Sequence, residues 1–201
     1  MLCVLLLSGV GAHSFAMPIQ IDFSGETLGN KPNGYSVNGV PEVQFSTTEF
    51  EDLRVLGAGL ECPNLPCLLV ESDGTSALQI DLAFIADFIS LGFGNDQPFF
   101  EPNVQDAALF LFLGANPVGE VIVPVNNNDL LDQVISFSGA GFDRAIFQYL
   151  GEGSVPARLA EVVDDIIIHR QAVPLPATLP LILFALAGLA FINLREKPLS
   201  R

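Results

Sequence analysis

Glu49 and Glu51 stand at alternate positions, and no other pair of residues in this sequence suits catalysis as well. Residues i and i+2 of a β-strand share one face, so both carboxylates would point to the same side. Two carboxylates flanking one bond are what glycoside hydrolysis requires. The pair lies beside Thr47, Thr48 and Asp52 in a polar stretch, however. We therefore interpret this stretch as a solvated turn. A divergent glycan hydrolase that uses Glu49 and Glu51 is kept as an alternative function.

Other common catalytic patterns are absent from the sequence. It has no Gly-x-Ser-x-Gly elbow, no glycine-rich phosphate loop and no His-Glu-x-x-His motif. His169 is the only histidine beyond the first 16 residues, and it closes a predicted strand beside Arg170. We interpret it as a surface residue and expect no enzymatic activity.

Cys62 and Cys67 enclose the short segment Pro-Asn-Leu-Pro. An isolated cysteine pair in an oxidising compartment predicts a disulfide that closes a tight loop. A metal site would need further ligands, and the spacing differs from that of a redox Cys-x-x-Cys centre. The sequence therefore predicts a structural disulfide.

Acidic residues dominate the charge of the chain, whose formal net charge is −15 over 201 residues. All of them except Glu196 lie in residues 17–172, which carry only five basic residues. Such a surface repels phosphate backbones, so we expect no nucleic-acid partner. Half of the residues are hydrophobic and 16 are phenylalanine, which indicates a folded domain.

Short apolar runs separated by Gly, Pro, Asn and Asp predict strands and turns over this central region. The alternation of Leu78, Ile80 and Leu82 with polar residues is typical of a half-buried strand. Asp81–Ile89 also admits a helix, but we favour a strand. The predicted strands cover residues 19–23, 43–46, 53–56, 68–70, 78–82, 88–93, 107–113, 121–125, 134–138, 143–150 and 162–169. This pattern predicts an all-β, antiparallel β-sandwich.

The two ends of the chain have the composition of membrane-directed segments. Residues 1–16 combine an apolar run with small residues at Ser14 and Ala16, which predicts a signal peptide cleaved after Ala16, with Ala12 as a second candidate. No charged residue lies between Arg170 and Arg195, so residues 173–201 predict a single transmembrane helix with a cytoplasmic basic tail. The sequence thus predicts an exported ectodomain over residues 17–172.

Val173, Pro174, Leu175 and Pro176 precede this apolar span. A Pro-x-Pro motif, a Leu/Ala/Gly-rich span and a basic tail, in this order, resemble the C-terminal sorting signal of PEP-CTERM proteins of Gram-negative bacteria. Leu175 replaces the glutamate of that motif. The resemblance implies processing by an exosortase-type enzyme at the inner membrane, followed by display at the cell surface or release. An ordinary single-pass anchor is the alternative.

Six segments of the central region follow one another in a recognisable order: Ile21–Phe23, Val43–Ser46, Ser90–Gly94, Leu109–Phe112, Gly141–Phe147 and Val163–Ile168. With these segments the central region is similar to the jelly-roll ectodomains of PEP-CTERM proteins and to lectin and carbohydrate-binding-module sandwiches. It implies a jelly-roll-like sandwich, with an immunoglobulin-like sandwich as the alternative.

The jelly-roll resemblance also implies that the first and last strands run side by side and share a structural Ca²⁺. Asp22 would lie on the first strand, and Asp164 and Asp165 would begin the last. Ca²⁺ binds six to eight oxygen atoms, and only one of two adjacent strand residues can face a site shared with Asp22. The alternative is that these acids cap strand ends or pair with Arg144 or Arg158.

Sugar binding normally relies on exposed aromatic rings that stack on the sugar, and the sequence offers few candidates for this role. The chain has no tryptophan and two tyrosines, Tyr35 and Tyr149, while Phe99 and Phe100 are expected to cover one end of the sandwich. We therefore expect a structural or adhesive protein of the cell surface or the extracellular polysaccharide matrix. A carbohydrate-binding module with a specific glycan ligand is the first alternative.

Overall fold

The computed structural model describes residues 17–49, 52–57, 62, 66–71, 75–94, 103–128 and 130–172. The predicted signal peptide (1–16), the sorting motif (173–176) and the predicted transmembrane helix (within 173–201) lie outside these residues. Within the described ranges, no helix has the length and apolar character needed to cross a membrane.

Ten β-strands and one short 3-10 helix, Glu152–Ser154, form the described fold, and every strand pairing is antiparallel. This confirms the all-β antiparallel prediction. The strands are β1 (Ile19–Ile21), β2 (Gly29–Lys31), β3 (Val43–Thr47), β4 (Asp52–Leu56), β5 (Cys67–Glu71), β6 (Leu78–Phe93), β7 (Val104–Leu113), β8 (Asn116–Pro124), β9 (Gln133–Gly151) and β10 (Glu161–Arg170).

Two long strands, β6 and β9, take part in both layers of the fold. The first half of β6 pairs with β3 and with the second half of β9, which continues through β7 to β8. We call this arrangement the first layer. The second half of β6 pairs with β10 and with the first half of β9, and β10 also pairs with β1 and β5. Together with β4 and β2, these strands form the second layer.

The core lies between the two layers and is built from alternate residues of the strands. Fully buried aromatic rings pack directly against one another, with centroids 5.4 Å apart for Phe93 and Phe147 and 5.7 Å apart for Phe23 and Phe45. Burial of one such side chain contributes about 1.5–3 kcal/mol relative to its exposure to water. This cluster includes residues of both layers and joins them into one sandwich.

The sequence pattern divided each long strand into two. Residues 78–82 and 88–93 were expected as separate strands, as were 134–138 and 143–150, but they belong to β6 and β9. Register shifts between Asp81 and Phe88 interrupt the alternation that marks a strand, which explains the apparent gap in β6. Residues 81–89 are strand rather than helix, as predicted.

Two smaller differences concern the ends of the sheet. The chain expected as one long loop contains the short strand β2, whose Gly-Asn-Lys sequence carries no apolar pattern. Strand β1 ends at Ile21, before the predicted end at Phe23.

The predicted disulfide between Cys62 and Cys67 is confirmed, with the two Cα atoms 5.9 Å apart. Both cysteines pack against Leu69 and Val162 on the outer side of the second layer.

Candidate functional site

Strand β7 presents two aromatic side chains on the outer side of the first layer. Its inward residues Ala107, Leu109 and Leu111 are fully buried in the core. Phe110 and Phe112 alternate with them and are partly exposed. Residues 107–113 were expected to be covered on both faces because the run is wholly apolar. That expectation was wrong, since the outer side of β7 is partly open.

Strand pairing surrounds these two rings with residues of three neighbouring strands. Phe110 lies opposite Ile146 of β9 and Glu120 of β8, and Phe112 lies opposite Arg144. On the next strand, β6 places Gln79 opposite Ile146 and Asp81 opposite Arg144. Gln148 of β9 lies opposite Ala108, two residues before Phe110 on the same side of β7. We call this surface the aromatic face, and it comprises Phe110, Phe112, Ile146, Gln79, Asp81, Arg144, Gln148 and Glu120.

Hydrogen bonds fix the polar border of the aromatic face. Arg144 Nε donates to Asp81 Oδ1 at 3.1 Å, and Gln79 Nε2 donates to Asp81 Oδ2 at 2.6 Å. Gln148 Nε2 donates to the backbone carbonyl oxygen of Thr75 at 2.9 Å. The Arg144 and Asp81 side chains are 36% and 37% exposed, and an ion pair of this kind contributes only about 0.2–1 kcal/mol. Its consequence is orientation of the polar groups rather than stability.

An aromatic face of this kind can bind a flat ligand that has an apolar side and a polar rim. Aromatic side chains with a few oriented polar groups are the usual composition of small-molecule sites. The negative π-face of a phenylalanine ring attracts C–H groups, which cover one side of a sugar ring. Hydroxyl groups at the rim of the sugar would then meet the amides of Gln79 and Gln148 and the guanidinium of Arg144.

The outer side of the second layer carries a smaller aromatic surface. Phe88 of β6 lies opposite His169 of β10, with ring centroids 4.5 Å apart. Ser138 of β9 lies opposite Phe88 on the other side. His169 is exposed, as the sequence predicted. Since Phe88 is partly exposed and of the same residue type as Phe110, it supplies a matched comparison for the aromatic face.

The structure brings together part of the predicted calcium site. Asp164 is only 6% exposed, and its burial raises its pKa to about 6, with further contributions from the carboxylates of Asp165 and Asp22. Backbone N–H groups of Asp165 and Phe23 offset part of this increase in the pKa. Asp22 is exposed and accepts a hydrogen bond from Ser24 Oγ at 2.6 Å.

These acids do not form a complete metal site. Among the residues that the structure describes, no group of three His, Cys, Asp or Glu side chains is placed to hold a metal ion. Asp165 adopts a positive φ of 49°, at the point where the register of β10 with β6 shifts. Arg144, a possible partner of these acids, pairs with Asp81 instead. Asp164 Oδ1 is buried without a hydrogen-bond partner in the described chain.

The calcium site therefore stays a prediction, and the melting temperature of the protein tests it. If Ca²⁺ is structural, chelation with EDTA should lower the melting temperature by several degrees, because a ligand that binds only the folded state stabilises it. Re-addition of Ca²⁺, but not of Mg²⁺, should restore it, since Mg²⁺ demands a stricter geometry. An unchanged melting temperature in EDTA would remove calcium from the description of this protein.

The carboxylate pair proposed for catalysis is only half visible. Glu49 is exposed, and its Oε1 accepts a hydrogen bond of 3.4 Å from Thr75 Oγ1. Glu51 lies outside the described residues, as do Phe99 and Phe100.

Sequence reasoning missed a buried acid at the start of β10. The Glu161 side chain is fully buried, and neither carboxylate oxygen accepts a hydrogen bond of good geometry within the described chain. Burial raises the pKa of Glu161 well above its ordinary value. The nearby backbone N–H groups of Glu161 and Tyr149 lower the pKa only in part. The predicted strand began at Val162, so no sequence signal marked this residue.

Comparisons with known proteins find similar folds only. No protein-family model and no curated protein matches the chain. Solved structures that resemble it include a mutant of the family 29 carbohydrate-binding module CBM29-2 (11% identity, 76% of this chain and 92% of that chain, TM-score 0.42). TmCBM61 in complex with β-1,4-galactotriose is another (13% identity, 70% of this chain and 100% of that chain, TM-score 0.40). A third is the arabinose-bound α-L-arabinofuranosidase MgGH51 (12% identity, 81% of this chain and 27% of that chain, TM-score 0.48).

Proposed function

We propose that this domain is a non-catalytic glycan-binding module and that the aromatic face is its binding surface. One observation carries this assignment: Phe110 and Phe112 stand side by side on an outer sheet surface, partly exposed and bordered by Gln79, Asp81 and Arg144. Grouped apolar side chains that remain open to water on a folded domain mark surfaces that a ligand or partner covers.

The charge of the chain decides between the ligands that stack on aromatic rings. Nucleobases also stack on phenylalanine, but proteins that bind single-stranded nucleic acids combine this with a positively charged groove. Here the net charge is −15, and Arg144 is already paired with Asp81. A glycan offers a stacking surface without a phosphate backbone, so it fits both the aromatic rings and the charge.

The glycan-binding alternative thus replaces the structural or adhesive role as the leading interpretation. Attachment to a polysaccharide matrix would follow from it. The direct experiment is a glycan array probed with the full chain, supported by affinity electrophoresis in polysaccharide gels. We expect retention by at least one class of polysaccharide. An array without any retained glycan would contradict the assignment.

We also propose that the module works outside the cytoplasm, as the two ends of the sequence predict. Residues 1–16 would direct export, and Val173–Pro176 with the following apolar span would be processed by an exosortase-type enzyme at the inner membrane. The Cys62–Cys67 disulfide supports an oxidising compartment. Mass spectrometry of the native extracellular protein should find both termini trimmed. A full-length protein in the cytosol would contradict this location.

A further inference from the structure

The two glutamine amides of the aromatic face each use one of their two N–H donors in a hydrogen bond to the protein. Gln79 Nε2 donates to the carboxylate of Asp81, and Gln148 Nε2 donates to the carbonyl oxygen of Thr75. Both partners can only accept hydrogen bonds, so the orientation of each amide is determined. The Oε1 atoms make no hydrogen bond to the described residues, and they remain as acceptors for a ligand.

Arg144 is oriented in the same way. Its Nε donates to Asp81 Oδ1 at 3.1 Å, while its two Nη groups have no hydrogen-bond partner among the described residues. Asp81 accepts from both Arg144 and Gln79, so its charge is largely compensated. The aromatic face therefore offers the Nη donors of Arg144, the amide oxygen of Gln79 on the neighbouring strand and, four residues further along β9, the amide oxygen of Gln148.

This set of groups selects between classes of glycan. A hydroxyl group both donates and accepts, so neighbouring hydroxyls can bind the Nη groups and donate to Gln79 Oε1, while a hydroxyl further along the glycan can donate to Gln148 Oε1. A carboxylate or sulfate group only accepts and would leave these amide oxygens unsatisfied, which weakens binding because an unpaired polar group is then covered by the ligand. Glu120 at the edge of the face and the net charge of −15 add repulsion toward polyanions.

We infer that the aromatic face selects neutral glycans with free neighbouring hydroxyl groups and discriminates against uronate and sulfated polymers. This inference rests on the proposed glycan binding and names its ligand class. Arg144 contacts the ligand in this assignment, whereas Asp81 is a positioning residue that holds the guanidinium in place.

Matched polymers test the ligand class on the full chain. Polyuronates and the same polymers after reduction of their carboxyl groups share one backbone and differ in charge. Isothermal titration calorimetry at low and high salt should show binding of the reduced, neutral form only, with an affinity that changes little with salt. Salt-insensitive binding is expected because no ion pair with the ligand is formed.

Arg144→Gln should weaken binding of the neutral polymer about tenfold, as expected for the loss of one well-made hydrogen-bonded contact. Arg158→Gln is the matched control, because Arg158 is exposed and lies on the loop before β10, outside the aromatic face. Preferential, salt-sensitive binding of the polyuronate by the unaltered chain would overturn the inference while leaving glycan binding intact. Binding of neither form, together with a glycan array that retains no glycan, would refute the glycan-binding function and its ligand class; binding of neither form beside retention of a charged glycan alone on the array would overturn the inference only.

Discussion

Replacing both Phe110 and Phe112 with alanine is expected to abolish glycan binding without unfolding the domain. Truncation of an aromatic anchor typically costs about 2 kcal/mol or more, which is roughly thirtyfold in Kd, so two truncations should bring binding below detection. The rings lie on the outer side of β7, while its core residues Leu109 and Leu111 are untouched. Retention in affinity electrophoresis and the melting temperature are the two measurements.

The matched control for this pair is Phe88→Ala in the second layer. Phe88 is also partly exposed and stacks on His169, but it lies outside the aromatic face. It should leave binding unchanged. Phe110→Leu adds a second comparison, since it keeps an apolar side chain and removes the flat ring. Equal retention of the double alanine variant and the unaltered protein would exclude the aromatic face as the binding surface.

Replacing Glu161 with glutamine is expected to stabilise the protein at neutral and alkaline pH. The pKa of Glu161 is raised in the folded state by burial, so its contribution is most favourable below the unfolded value of about 4.5 and is lost as the pH rises through the folded value. A neutral side chain at this position avoids that loss. The expected gain grows with pH, by about 1.4 kcal/mol per pH unit between the unfolded and the folded pKa, because only the glutamate must stay protonated in the folded state. Urea unfolding between pH 4 and pH 8 measures it.

The pH dependence identifies the cause of the gain. At pH values near 4 the variant and the unaltered protein should have similar stability, because Glu161 is then largely protonated in both the folded and the unfolded state. A remaining loss of stability between about pH 4 and pH 6 belongs to Asp164, whose pKa burial raises to about 6. If Glu161→Gln destabilised the domain equally at all pH values, Glu161 would be making a specific contact rather than bearing a desolvation cost.

The strand content of the domain was predictable because alternation and turn residues are local signals. Leu78, Ile80 and Leu82 mark the first half of β6 clearly. Continuity of the long strands was not predictable, since a bulge breaks the period of two and a single sequence does not show that hydrogen bonding resumes beyond it. Strand β2 escaped because its pairing with β4 depends on the rest of the sheet.

The candidate site was less predictable than the fold. The run Ala107–Leu113 is uniformly apolar, and only the assembled sheet shows that Phe110 and Phe112 stay partly exposed between residues that enter the core. Glu161 precedes an apolar run and resembles a strand boundary in the sequence. The prediction for Asp164 and Asp165 assumed that adjacent residues of a strand face opposite sides of the sheet. The positive φ of Asp165 interrupts this alternation of side chains in β10.

Strands β6 and β9 also determine how the domain gains and loses its structure. Each of these strands contributes one half to the first layer and the other half to the second layer. Neither layer can therefore unfold while the other stays intact, and we expect unfolding to be a single cooperative transition. Their contacts join distant parts of the chain, as with Asp81 and Arg144, which are 63 residues apart. Folding must therefore close long loops before the layers form, which places this domain among the slow-folding β-proteins.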